Sequence, residues 1–251
     1  MQVTTNKENK TNKLFYIIGV SLVILIWTII SIVKDNFLFP NLIDISKSFI
    51  DIVTNLNTYQ MLIHTVYRII VTIGISYLLS LIIILLYHIY KPSINIFKPV
   101  LTLMKSMPLI IITLFIWLVM PVYNGIYVVC IFMILPLIVE ALISGLDSID
   151  KEVSDYLLLD SPSYSLKSFF EVKIPLIKNN ILMSLFQTLG LSFKVMIMSE
   201  YIFNIKNSIG KDLSSIKASL EMNYLLAWAI LIIIIVSIIE YVLKRLKNKI
   251  N

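Results

Sequence analysis

The sequence predicts an all-α membrane protein with about six transmembrane helices and one long cytoplasmic loop. Composition is the first reason. Hydrophobic residues make up 58% of the 251 and charged residues 14%, against about 45–50% and about 25% in soluble chains. The mean hydropathy is +0.90. A soluble fold of this size cannot hide so much apolar surface, so lipid must be part of the solvent. Pattern is the second reason: apolar runs of roughly bilayer length recur at 14–33, 61–87, 100–120, 124–145, 179–203 and 224–243. Charge placement is the third. A net charge of +6 and a pI of about 9.2 would suggest nucleic acid in a soluble chain. Here the basic residues flank apolar spans, so membrane lipid is the expected partner and nucleic acid is not.

The elements follow in order. Lys7, Lys10 and Lys13 form a basic tail over 1–13, before the run 14–33. That run is longer than a signal-peptide core and is followed by Lys34-Asp35-Asn36-Phe37 rather than a small-residue cleavage site, so it is expected as a retained transmembrane helix. Over 41–57, Ile43, Ile45, Phe49 and Ile52 recur at helical spacing and predict a short helix lying at the membrane surface. In the third span Pro99 and Pro108 bracket a stretch that Lys105 interrupts, which predicts a short helix followed by a longer one, kinked at Pro108. The fifth span carries Gln187, Lys194 and Glu200 and should therefore face protein or water. Cys130, the single cysteine, sits in an apolar run and reads as a small buried hydrophobe.

Orientation follows from the loops. With the N-terminus inside, Lys91, Lys98, Lys151, Lys167, Lys173 and Lys178 join the basic N-terminal tail and the basic tail over 244–251 on the cytoplasmic side. Lys34, Lys47, Lys206, Lys211 and Lys217 remain outside. The bias places both termini in the cytoplasm. The long loop, 146–178, is then cytoplasmic, and a membrane protein that spends so many residues there is expected to touch a partner with it. Within it 150–159 can form a helix, with Asp150 and Glu152 suited to the dipole at its start. Ser161 is a good N-cap and Pro162 a good first residue for a second helix to about Val172, and Pro175 marks the start of span five. Leu157, Leu158, Tyr164, Phe169 and Phe170 are its apolar residues, able either to pack the loop on the bundle or to fill a partner's groove.

The segment 140–177 resembles the EAA loop of ABC importer permeases. Asp155-Tyr156-Leu157 stands where E-A-A would, and Val172-Lys173-Ile174-Pro175 where the closing V-x-L-P would. The family glycine is replaced: counting from Asp155 reaches Ser161, counting back from Pro175 reaches Pro162. Phe39-Pro40-Asn41, His64 through Arg68, Pro99 through Met107-Pro108, and Ser199-Glu200 followed by Ile209-Gly210 are similar, in order and spacing, to the nitrate/sulfonate/taurine-type permeases. The resemblance implies a type I ABC importer-like permease domain over 14–243. It implies a loop, through Asp155, Tyr156, Leu157, Ser161, Pro162, Tyr164, Phe169, Phe170 and Pro175, that couples to separate ATPase subunits. It also implies an extracytoplasmic solute-binding protein, a homodimeric pore in the cell membrane, and ATP-Mg held by the partner ATPase.

Arg68, Glu140, Lys194 and Glu200 are costly in lipid, and Arg68, Lys194 and Glu200 are candidates for a translocation path or gate. Lys194 and Glu200 are too far apart around the helix to pair with each other. The six glycines include no P-loop, so ATP hydrolysis is expected elsewhere and no cofactor or metal on this chain. His64 and His88 are the only histidines, with no H-E-x-x-H and no G-x-S-x-G, which argues against an intramembrane enzyme. A secondary transporter, which commonly shows inverted repeats, and the membrane-coupling subunit of a vitamin-type importer are the alternative readings.

Overall fold

A computed structural model describes residues 2–33, 38–150 and 165–250. Among these residues every regular element is helical: α1 (Gln2–Val33), α2 (Leu42–Thr54), α3 (Leu56–Ile89), a 3₁₀ turn at Lys91–Ser93, α4 (Ile94–Ser106), α5 (Leu109–Val119), α6 (Val122–Asp147), the irregular helical segment 166–176, α7 (Lys178–Phe203), α8 (Ile209–Ser219) and α9 (Met222–Ile250). Four helices (α3, α6, α7 and the Met222–Val242 part of α9) are long and apolar enough to cross a membrane, and α4 with α5 makes a fifth if that bent pair is one span. In α1 the described apolar stretch is shorter, Ser21–Val33. The chain is thus an all-α protein built to pass through a membrane several times.

Two compact units divide the chain: Met1–Asn55 with Ser215–Ile232, and Leu56–Ser214 with Ile233–Asn251. In the first, the Trp27 indole N–H donates to the Pro40 carbonyl at 3.3 Å, and Ser31 Oγ donates to Asn41 Oδ1 at 2.7 Å. Trp27 and Phe39 pack with ring centroids 5.7 Å apart. Asn223 Nδ2 donates to Ser48 Oγ at 2.8 Å, and the Tyr224 hydroxyl to Asp51 Oδ2 at 3.1 Å, tying the start of α9 to α2. The expected short helix is present as α2, but its buried face is Ile45, Ser48 and Ile52, while Ile43 is 69% exposed. The apolar spacing found the helix and misplaced its face by one residue, because Ser48, not an aliphatic side chain, fills the middle of the contact.

In the second unit α6 is the central helix and packs against α3 and α7. Close approach is permitted by small residues. Thr65, Thr72, Ser76 and Ser80 are buried on α3, and Ser184, Thr188, Ser192 and Ser199 on α7. Apart from Thr65, whose hydroxyl meets Glu200, their hydroxyls turn back onto the carbonyl a turn earlier, as Ser76 does to Thr72 and Ser199 to Val195, so these polar groups are not left bare in an apolar setting. The Tyr77 hydroxyl bridges α3 and α7 through Ser184 Oγ at 2.7 Å. At Gly125 an added Cβ would collide with the Phe203 ring, and at Gly145 one would lie 2.9 Å from Asn180, so both glycines are places where α7 touches α6. Cys130 is fully buried beside the Ser192 carbonyl.

Two expectations are corrected. The third span is not a short helix leading into a longer one through a kink. α4 is the longer part (13 residues to 11 in α5), it runs through Pro99, and it is bent from α5 by 105° at Met107-Pro108. Pro108 disfavours helical backbone at Met107, and Met107 is indeed extended. Of the helix expected from Pro162 to about Val172, only the part from Ser165 onward lies in the described residues, and it is not one continuous α-helix. Ser165 is extended and its Oγ accepts the Lys167 N–H, so helical structure begins at Leu166 and then widens into a π-helical stretch at Phe169–Lys173. Residues 151–164, including Asp155, Tyr156, Leu157, Ser161, Pro162 and Tyr164, lie outside the described residues. The connection after α7 leads through two caps into α8. Asn204 caps α7 in the left-handed conformation, and Ser208 caps α8 by accepting the Lys211 N–H at 3.1 Å.

Candidate functional site

The most tightly built polar cluster lies where α3, the end of α7 and the start of α8 meet. Glu200 is fully buried. Arg68 Nη1 donates to its Oε1 at 2.7 Å, and the Thr65 hydroxyl lies 3.0 Å from both carboxylate oxygens. The Gly210 N–H reaches Oε2 at 3.4 Å, and Arg68 Nη2 reaches the Lys206 carbonyl at 3.4 Å. Gly210 is there because the chain passes too close for anything larger: a Cβ would collide with the Glu200–Tyr201 backbone. The buried carboxylate thus has a charged partner and neutral donors, the condition under which such a group is tolerated. The cluster clasps α8 to α3 and α7.

A second polar feature runs along α7. Asn180, Gln187 and Lys194 are spaced by seven, so they share one face within about 20° per step and span about 21 Å. Gln187 and Lys194 are exposed, as is Asn179 beside the stripe. Next to its Asn180–Gln187 part stands an ion pair, Lys105 Nζ to both Glu140 oxygens at 2.7 Å, with side chains 43% and 53% exposed. Glu140 and Ser144 lie between two clefts. One, of about 490 Å³, includes Asn179, Asn180, Ser184 and Gln187; the other, of about 660 Å³, includes Lys98, Thr102 and Asp147.

The third feature is the segment leading into α7. Phe169 is fully buried against the His88 ring, with centroids 5.0 Å apart. Phe170 meets Phe169 edge-on at 5.0 Å and is 53% exposed, beside Leu166 at 55%. Pro175 falls in the helical turn Ile174–Leu176, immediately before α7.

The residues marked in the sequence are therefore distributed over three places. Arg68 and Glu200 are brought together; Lys194 is on another face of α7 and forms no ion pair among the described residues. Phe169 is internal and Phe170 faces outward. His64, marked with Arg68, is exposed and outside the clasp. Sequence reasoning missed Thr65 and Gly210 as partners of Glu200. Thr65 could have been found: three residues before Arg68, it shares that residue's helical face. The Lys105–Glu140 pair was missed because its members are 35 residues apart and meet only through the α4–α6 packing. Among the described residues no group of three His, Cys, Asp or Glu side chains converges as a metal site would require.

No family model matches the chain, and no curated protein matches its sequence. What fold and site define is a class: a multi-pass, all-α membrane protein with a polar face along one of its spans.

Proposed function

We propose that this chain is the transmembrane permease subunit of an ATP-driven ABC importer. One observation carries the transport reading, the Asn180–Gln187–Lys194 stripe, part-buried at Asn180 and exposed at Gln187 and Lys194, beside the half-exposed Lys105–Glu140 pair. Charged side chains within a span cost at least about 2.5 kcal/mol each if they meet lipid. Exposed at these depths, they belong against water or a second protein surface, which is what a solute path between two copies provides.

The ABC assignment is supported by the way the resemblance assembles. His64 through Arg68, Ser199-Glu200 and Ile209-Gly210 are distant in sequence, yet Thr65, Arg68, Glu200 and Gly210 meet in one clasp. Separate chance matches have no reason to converge. The exposed Phe170 and Leu166 supply an apolar surface beside the loop expected to meet an ATPase. In this reading two copies form the pore in the cell membrane, with six spans each and both termini cytoplasmic. A solute-binding protein delivers the solute to the outer face, and separate ATPases hold ATP-Mg and drive alternating access through the loop. The direct test is reconstitution with the co-purifying ATPase: solute uptake should require ATP and fall at least tenfold in Phe170→Ala.

A second reading, a secondary transporter, is favoured by one observation, the 105° break between α4 and α5. Discontinuous helices line many such pathways. Uptake driven by a proton or sodium gradient without ATP would establish it.

A further inference from the structure

At the end of α3 and α6 a smaller pocket of about 180 Å³, adjoining the 660 Å³ cleft through Tyr87 and Asp147, is lined by these two with His88, Lys91 and Lys173, among others. That is about six water molecules' share of liquid volume, enough for a tetrahedral oxyanion. Its charges do not balance. Asp147 is the one carboxylate in the lining, and it is already engaged, accepting from the Tyr87 hydroxyl at 2.6 Å and from Lys91 Nζ at 3.4 Å. Lys173 Nζ lies 3.2 Å from His88 Nδ1, and forms no ion pair among the described residues. An ammonium can only donate, so Nδ1 accepts and the imidazole stays neutral. Among the described residues two ammonium groups therefore stand beside one carboxylate, and the half-buried one has no ion-pair partner.

The local backbone holds that arrangement in place. Lys173 ends the π-helical stretch Phe169–Lys173, and Phe169, fully buried on the His88 ring, anchors the other end. Burial, and after it the neighbouring Lys91 charge, keep the Lys173 pKa below its ordinary value. The pocket also lies at the ends of the apolar helices α3 and α6.

We propose that this pocket binds a phosphate group between Lys173 and Lys91, carried by an anionic lipid headgroup or by free phosphate. The site is distinct from the polar stripe and from the Glu200 clasp, and does not depend on the importer reading.

The test is thermal unfolding of the whole chain, purified in detergent and stripped of phospholipid. Inorganic phosphate and short-chain phosphatidic acid are titrated separately, with chloride at matched ionic strength as the blank. The expected result is a rise in midpoint of several degrees for the wild type. It should vanish in Lys173→Met, shrink in Lys91→Gln and persist in Lys167→Met, which removes an exposed charge nearby. Lys173→Met should fold as well as the wild type without anion, since it loses an uncompensated charge. A response to both ligands assigns the site to phosphate in general; a response to the lipid alone assigns it to a headgroup. No shift with either ligand, or an equal shift in Lys173→Met, overturns the proposal.

Discussion

Glu200 shows what a buried charge demands of its neighbours. With the carboxylate fully buried and Arg68 at 2.7 Å, removing the guanidinium leaves a charge with nowhere to go. Arg68→Ala is expected to lower stability by about 3 kcal/mol. The double variant Arg68→Met with Glu200→Met should lose less than the two single losses combined, because each single change strands a partner. Thermal or denaturant unfolding in detergent measures both. Lys105 and Glu140 are the opposite case: similar in length, but half exposed. Glu140→Gln should change stability by less than about 1 kcal/mol and still impair uptake if the pair borders the solute path. Lys173 adds a pH dependence with a definite sign. Its folded-state pKa is lowered from 10.5, so the folded state carries a penalty for the charged form below that lowered value. The penalty fades as pH rises through it toward 10.5. Relative to Lys173→Met, wild-type protein free of phosphate should gain stability over that alkaline window.

Elements here are shaped by a few residues that permit or forbid close approach. Gly210→Ala forces a Cβ into the Glu200–Tyr201 backbone, so it should weaken the clasp even though no clasp side chain has changed. Faster amide exchange across α8, with α3 and α6 unaffected, is the expected signature. Ser165→Ala removes the cap that sets where the 166–176 segment begins, a loss of about 1 kcal/mol, and should loosen that segment without unfolding the bundle. These features also mark what the sequence could and could not tell. Long apolar runs made α3, α6, α7 and α9 legible, since span length is fixed by the bilayer. The short helix α2 was legible from its spacing. The 105° turn at Pro108 was not, because a proline says that a helix is interrupted and not by how much. α8 was hidden in a polar stretch, where only Ser208 as a cap gave a local signal.

For the whole molecule, the candidate site was readable as a list of residues and not as an arrangement. Arg68 and Glu200 stood out as costly charges, and their pairing is a tertiary fact that no spacing rule reaches across 132 residues. Asn180, Gln187 and Lys194 were all visible, and their heptad spacing would have placed them on one face. The clasp at one end of α7, the polar stripe along it and the outward-facing Phe170 before its other end fit the proposed permease: a fixed hairpin, a wettable path and a handle for an energy source.

That handle is the central claim, and one measurement addresses it most directly: purification of the tagged chain from native membranes in mild detergent, with mass spectrometry of what accompanies it. The account predicts a P-loop ATPase in the preparation, lost or sharply reduced when Phe170 is replaced by Ala while the chain itself stays monodisperse. Recovery of the chain without any ATPase, together with uptake sustained by an ion gradient alone, would contradict it.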